Sequence, residues 1–146
     1  MELILWRHAD AEDGAPDLER KLTAEGRGQA QRVGGWLLAH LPADFEVISS
    51  PAVRAQQTAA ALRRKITTSG RIAPGASAQA ILKAAGWPGG AGTVVLVGHQ
   101  PDFGQAIAQL VAGARAEWRL KKGALWWIAN DKGVIVRAVV SPDLLK

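Results

Sequence analysis

The feature that most restricts how this chain can fold is a repeated exchange of short apolar runs with stretches of helical period. Residues 2–6 form an apolar run of the kind that makes a buried strand. After a polar loop, Thr23 is placed to cap a helix in which Ala30, Val33, Leu37 and Leu41 recur at near-helical spacing. Residues 45–48 read as a second strand. Ser50-Pro51 then reads as an N-cap followed by a proline at the first helical position, opening a helix to about Lys65. Residues 71–73 suggest a minor strand, 77–85 a short helix, and 93–97 a β-branched strand suited to the sheet centre. Gly98-His99-Gln100-Pro101 turns the chain into a helix over 102–111, and residues 124–129 and 134–140, around Asp131-Lys132-Gly133, predict a hairpin. This order predicts an α/β three-layer sandwich, a mostly parallel mixed sheet with helices on both faces. No linker, repeat or low-complexity stretch divides the chain, so residues 1–146 are expected to form one domain.

Composition narrows the functional classes. Apolar residues at 48% and charged residues at 21% exclude disordered and collagen-like chains. The longest apolar runs, 93–97 and 124–129, fall far short of the ~20 residues of a membrane helix. With no cysteine there is no disulfide framework, thiolate metal site or cysteine nucleophile, which fits a reducing compartment. Glu2 and the lack of a basic leader argue against a signal peptide, so a cytoplasmic location is expected. The net charge of +5 is unevenly spread: residues 1–46 carry nine acids and five bases, the remainder four acids and thirteen bases. The later part should attract anions. Its bases are scattered singly or in short clusters (Arg63, Arg64, Lys65; Lys121, Lys122), without the long basic tract or aromatic signature of a nucleic-acid binder. A phosphate group, small or protein-borne, is the better match, and neither nucleic acid nor membrane is expected as a partner.

Ligands of open α/β sheets bind beyond the carboxyl ends of parallel strands. Three such ends carry conspicuous residues here: Arg7-His8 after the first strand, Ser49-Ser50-Pro51 leading to Arg54 after the second, and Gly98-His99 after the strand at 93–97. Singly, each has a plain structural reading as an exposed pair, a solvated helix residue or a tight turn. Together they bring two arginines and two histidines to one edge, where helix N-termini add further donors. Bidentate arginines suit a phosphoryl group. A histidine with one ring nitrogen held by a carbonyl and the other free can attack phosphorus. His40 is expected to bond the last carbonyls of its helix, and Trp36, Trp118, Trp126 and Trp127 to pack in the core or on the sheet, while Trp6 beside Arg7 is placed to wall the site.

Leu5-Trp6-Arg7-His8-Ala9-Asp10 resembles the Arg-His-Gly signature of the histidine phosphatase superfamily, with Ala9 in the glycine's place. The stretch from Ser49 to Ala59, with Arg54, resembles that family's second-arginine motif, and Val97-Gly98-His99-Gln100-Pro101 its second-histidine motif. The short length, the Asp17-Leu18-Glu19-Arg20-Lys21-Leu22-Thr23 stretch and the run from Lys121 to Trp127 are similar to the phosphohistidine phosphatase SixA branch. The resemblance covers nearly the whole chain. It implies the phosphoglycerate mutase-like fold and a pocket in which His8 is the nucleophile, Arg7 and Arg54 hold the phosphoryl oxygens, and His99 stabilises the transferring group. Arg20 and Gln100 are expected on the substrate side. No metal or other cofactor is expected, and the chain is expected to be a monomer.

One departure bears on the substrate. Many members acting on phosphate monoesters place a carboxylate between the second arginine and the second histidine, yet residues 47–101 hold no Asp or Glu. An alkoxide leaving group needs a proton in the transition state, a contribution of ~100 to 10,000-fold. Imidazole leaving a ring-protonated phosphohistidine departs neutral, its conjugate acid having a pKa of about 6.5. The expected reaction is therefore hydrolysis of phosphohistidine on a protein, with Asp10, Glu12, Asp17 and Asp102 as the substitute acids to examine. The alternatives are a broad phosphomonoesterase acting on small phosphate esters and a catalytically weak phosphate-binding module.

Overall fold

The computed structural model describes residues 1–146. Six strands form one sheet: β1 (Glu2–Arg7), β2 (Glu46–Ser49), β3 (Ile66–Thr68), β4 (Thr93–Gly98), β5 (Leu125–Asn130) and β6 (Val134–Val140), in the order β3-β2-β4-β1-β5-β6. The first four run parallel, β5 pairs antiparallel with β1, and β6 pairs antiparallel with β5. Four helices complete it: α1 (Ala24–His40), α2 (Val53–Ala59), α3 (Ala78–Ala85) and α4 (Asp102–Ala112).

Successive side chains on a strand face opposite ways, so a strand buried on both faces feeds two cores. In β1, Ile4 and Trp6 join a core with Val33 and Leu37 of α1 and Ala55 of α2. Leu3 and Leu5 join a second core with Ile81 of α3 and Phe103 and Ile107 of α4. β4 divides the same way, Val95 and Val97 against Val94 and Leu96. The expected three layers and the mixed, mostly parallel sheet are thus present. Thr23 and Ser77 cap α1 and α3, their hydroxyls accepting from Gly26 N and Ala80 N at 2.9 and 3.1 Å.

Four expectations need correction. The helix predicted to Lys65 stops at Ala59, tightens into a 3-10 turn (Ala60–Leu62) and ends at Arg63 in the left-handed region, φ 52°. The β-branched Ile66-Thr67-Thr68 then pairs with β2 as an edge strand, and the predicted strand at 71–73 is a 3-10 turn, Gly70–Ile72. The N-cap position of α2 is Ala52, not Ser50, and Pro51 lies just outside the helix. Trp6 does not wall the site. It is fully buried, its indole N–H donating to Gly123 O at 2.9 Å.

The edge bearing the strand ends is closed by the segment between α4 and β5. A Cβ on Gly104 of α4 would run into the Trp118 carbonyl and lie 2.7 Å from Gln100 Nε2, so only glycine lets that segment settle on the helix. Gly104→Ala should therefore destabilise the protein by about 1–3 kcal/mol through overpacking, although alanine favours helix. Gly35→Ala, in exposed α1 with nothing within 4 Å, should instead stabilise it by about 0.5–1 kcal/mol. Thermal or urea unfolding of the two variants checks both signs.

Candidate active site

Register fixes the site before any side chain is considered. Arg7 lies opposite Gly98 across β1 and β4, and Ser49 opposite Val97 across β2 and β4, so the residues that follow leave the sheet together. Backbone bonds continue the alignment: His8 N donates to Gly98 O at 2.9 Å, Ser50 N to Val97 O at 3.0 Å, and Gly123 N to His8 O at 3.1 Å. His8, Ser50, Arg54 and His99 are all buried as a result. The four expected residues do meet: the His8 and His99 rings lie 5.2 Å apart, and Arg54 Nη2 is 3.5 Å from His99 Nδ1.

The bonding of each ring sets what it can do. His8 Nδ1 is 2.8 Å from Ala9 O, which accepts and so assigns the proton to Nδ1, leaving Nε2 with a free lone pair. Arg54 can only donate, so His99 Nδ1 is an acceptor and its Nε2–H donates to Ser50 Oγ at 2.7 Å. Burial, partly opposed by the Ala9 carbonyl, together with the charges of Arg54, Arg7 and Arg20, lowers the His8 pKa from 6.5 to about 4. Burial, then His8 and Arg54, lowers that of His99 to about 3. Both imidazoles are neutral at neutral pH.

The arginines are held by their outer nitrogens. Arg7 Nη1 donates to Leu120 O at 2.7 Å. Arg54 Nη1 donates to Asp17 O at 2.8 Å, and Nη2 to Asp17 Oδ2 at 3.1 Å. The two Nε–H groups, Arg7's and Arg54's, are the only buried side-chain polar atoms in the protein without a partner. A buried donor left unpaired is costly, about 1–3 kcal/mol. Both Nε–H groups belong to arginines whose charges reach the His8 ring, so the pair offers donors suited to an anion.

Ala9 fits where the family signature has glycine: it is fully buried, and its N–H donates to Thr58 Oγ1 at 3.0 Å. Thr58 Oγ1 in turn donates to Arg54 O at 2.8 Å, which ties the Arg-His segment to the helix carrying Arg54. Arg20 is set back. Its Nε donates to Glu12 O at 2.7 Å and its Nη1 to Asp17 Oδ1 at 3.1 Å, so it steadies the carboxylate facing Arg54. Gln100 has both amide ends engaged, Nε2 donating to Trp118 O at 2.8 Å and Oε1 accepting from Gly104 N at 3.2 Å.

Sequence reasoning missed Ser50 and Thr58, and it did not place Asp17 as the partner of Arg54. The spacing from Arg54 to Thr58, one helical turn, was the available signal for Thr58. Among the acids considered, Asp17 is held below its usual range by Arg20 and Arg54, and Asp10 by Lys122 and Thr23. Burial raises Asp102, against N–H groups of Gly75 and Ala76 that its carboxylate accepts; Gly75 N lies 2.8 Å from Oδ2.

A titration followed by the imidazole Cε1–H resonances checks the electrostatics. Because the neutral ring is favoured, His8 should protonate only as pH falls through about 4, and His99 lower still. Adding tungstate or phosphate should raise both pKa values, since an anion favours imidazolium. A free-enzyme pKa near 6.5 for either ring would contradict the site as described.

The family model of the histidine phosphatase superfamily (branch 1) matches residues 3–75. An uncharacterized protein of Mycobacterium tuberculosis is 37% identical over 119 residues, 73% of this chain and 69% of its own length. The structure of SixA from Nakamurella multipartitia is 30% identical, with a TM-score of 0.79 over 97% of this chain and 95% of that one. That of the protein histidine phosphatase SixA with tungstate is 24% identical, with a TM-score of 0.83 over 99% of each chain, and shows the shared fold. By sequence and by fold, then, this chain belongs to the histidine phosphatase superfamily, where it resembles the SixA branch from end to end, and it is a phosphatase.

Proposed function

We propose that the protein hydrolyses phosphohistidine on a protein substrate through a phosphoryl-enzyme intermediate on His8. The observation that carries the reading is the ring of His8, whose Nδ1 is tied to the Ala9 carbonyl so that Nε2 keeps its lone pair, in a site where the charges of Arg54 and Arg7 reach the ring. The substrate's phosphoryl group would take the two orphaned Nε–H groups. Nε2 of His8 attacks phosphorus as the bond to the leaving ring nitrogen breaks, and that nitrogen keeps the electron pair. A substrate ring protonated at its other nitrogen then leaves as neutral imidazole. Water attacks the phosphoryl-His8 in turn, its P–N bond pair returns to Nε2, and phosphate departs with the water's oxygen.

His99 fits a stabilising role. Its Nδ1 accepts weakly from Arg54, and a phosphoryl dianion would draw a proton onto it, turning it into a donor to a phosphoryl oxygen. The preference for a P–N bond rests on the acids. Asp10 and Asp17, the carboxylates near the site, are both ion-paired and ionised, at 2.8 Å from Lys122 and 3.1 Å from Arg54 and Arg20. An ionised carboxylate in an ion pair is a poor proton donor. The SixA likeness supports the same reading.

Arg7→Ala and Arg54→Ala should each lose at least ~100-fold in kcat/KM, since the clamps act on charge that develops in the transition state. Lysine in either place should restore only part of it, because the fork geometry is lost. The substrate is tested by kcat/KM across aryl phosphates of graded leaving-group pKa, an alkyl phosphate and a phosphohistidine protein. Wild type should cleave phosphohistidine well and alkyl phosphate poorly. His99→Ala and Asp17→Asn should each shift the plot without steepening it. A steeper plot in either variant would identify that residue as a proton donor and overturn the leaving-group argument.

A further inference from the structure

Beside Arg7 opens a groove of about 730 Å³ whose lining residues, apart from Pro101 and Pro142, are charged or amide side chains. Pockets for small organic ligands are mostly apolar, so this one suits a polar protein surface. Its walls include Arg7, Arg32, Arg119, Lys121 and Lys122, together with three acids. Three of those charged groups are in ion pairs. Lys121 pairs with Asp143 at 3.3 Å, Lys122 reaches out of the groove to Asp10 at 2.8 Å, and Glu117 accepts from Gln105 at 3.0 Å. Glu25 and Arg32 lie about two turns apart on α1, and neither makes an ion pair.

Among the unpaired charges that flank the site, Arg119 is the one whose backbone neighbours are tied to it. It is exposed and has no hydrogen bond or ion pair, yet its position is fixed by its neighbours. On one side the Trp118 carbonyl accepts from Gln100, and the Trp118 ring packs on Trp126 at 5.5 Å. On the other, Leu120 is buried and its carbonyl accepts from Arg7 Nη1 at 2.7 Å. The backbone on both sides of Arg119 is therefore anchored to residues of the site, Leu120 to Arg7 itself. The two guanidiniums are near enough that Arg119, after burial, lowers the Arg7 pKa, and no carboxylate pairs with either. Two arginines that line one groove, neither of them in an ion pair, suit a second anion.

Building on the phosphohistidine reading, we propose that Arg119 and the rim of this groove bind a carboxylate side chain flanking the phosphorylated residue of a protein substrate, so that the enzyme selects phosphohistidines with acidic neighbours.

The test uses two phosphohistidine peptides of equal length, one with Asp and Glu around the phosphorylated residue and one with Asn and Gln. Each is measured as a competitive inhibitor of aryl phosphate hydrolysis and, separately, for phosphate release. The acidic peptide should have a Ki at least about tenfold lower, the increment of one charge-assisted contact. The ratio should shrink in high salt and approach one in Arg119→Ala. Equal Ki values in wild type, or a ratio unchanged in Arg119→Ala, would overturn the proposal, as would an equal loss for both peptides. 3-Phosphoglycerate forms a third arm. Should it match the acidic peptide and lose that advantage in Arg119→Ala, the second anion belongs to a small molecule and the protein-surface proposal fails. If the Ki ratio holds while neither peptide releases phosphate, the acidic preference stands and the phosphohistidine reading falls instead.

Discussion

The concentration of positive charge at one buried sheet edge governs the rest of this site. Arg54 and the rings of His8 and His99 are all more than nine-tenths buried, with Arg7 close by, and Asp17 is the one carboxylate that touches the group. Protonating either imidazole there would add like charge in a poorly solvated place, so both stay neutral. Neutrality leaves His8 Nε2 the lone pair that the proposed nucleophile requires at ordinary pH. The same imbalance leaves an unmet demand for an anion, expressed in the two unpartnered Nε–H groups. In the proposed mechanism a phosphoryl dianion answers it, and in doing so favours the proton that converts His99 from acceptor to donor.

The scaffold makes that imbalance tolerable by fixing every member from the backbone. His8 is bonded on both sides, by Gly98 of β4 and by Gly123 ahead of β5. Arg54 rides on a helix locked to Ala9 through Thr58. The antiparallel β5 matters because it delivers the 113–124 segment to the same edge, where the Leu120 carbonyl orients Arg7 and the Trp118 carbonyl holds Gln100. Gly104 permits that close approach. A sheet parallel throughout would bring no such returning segment to this edge.

What was readable in the sequence follows from how local the signals are. The central strands β1 and β4 are continuous apolar runs, so their burial and the residues at their ends were legible, and with them Arg7, His8 and His99. Arg54 followed from its place after the second strand. β3 was not legible: three residues after a cationic run carry little signal, and their strand state comes from pairing with β2. Ser50 looked like a helix cap because Ser-Pro usually is one, but its hydroxyl bonds His99 from another strand end. Asp17 and Arg119 lie in irregular segments whose roles are set by tertiary contacts, which no periodicity records. Trp6 follows Leu5 into the sheet, and alternation along β1, not adjacency to Arg7, decided that its ring faces the core.

The account stands or falls on the free nitrogen of His8. Rapid mixing of enzyme with labelled phosphohistidine protein or aryl phosphate, quenched in base and mapped by peptide and ³¹P NMR analysis, measures where the phosphoryl group resides during turnover. The account predicts an acid-labile, base-stable adduct on Nε2 of His8, formed within a single turnover and absent from a folded His8→Ala variant. An adduct on Nδ1 or on His99, or turnover that survives in His8→Ala, would contradict it.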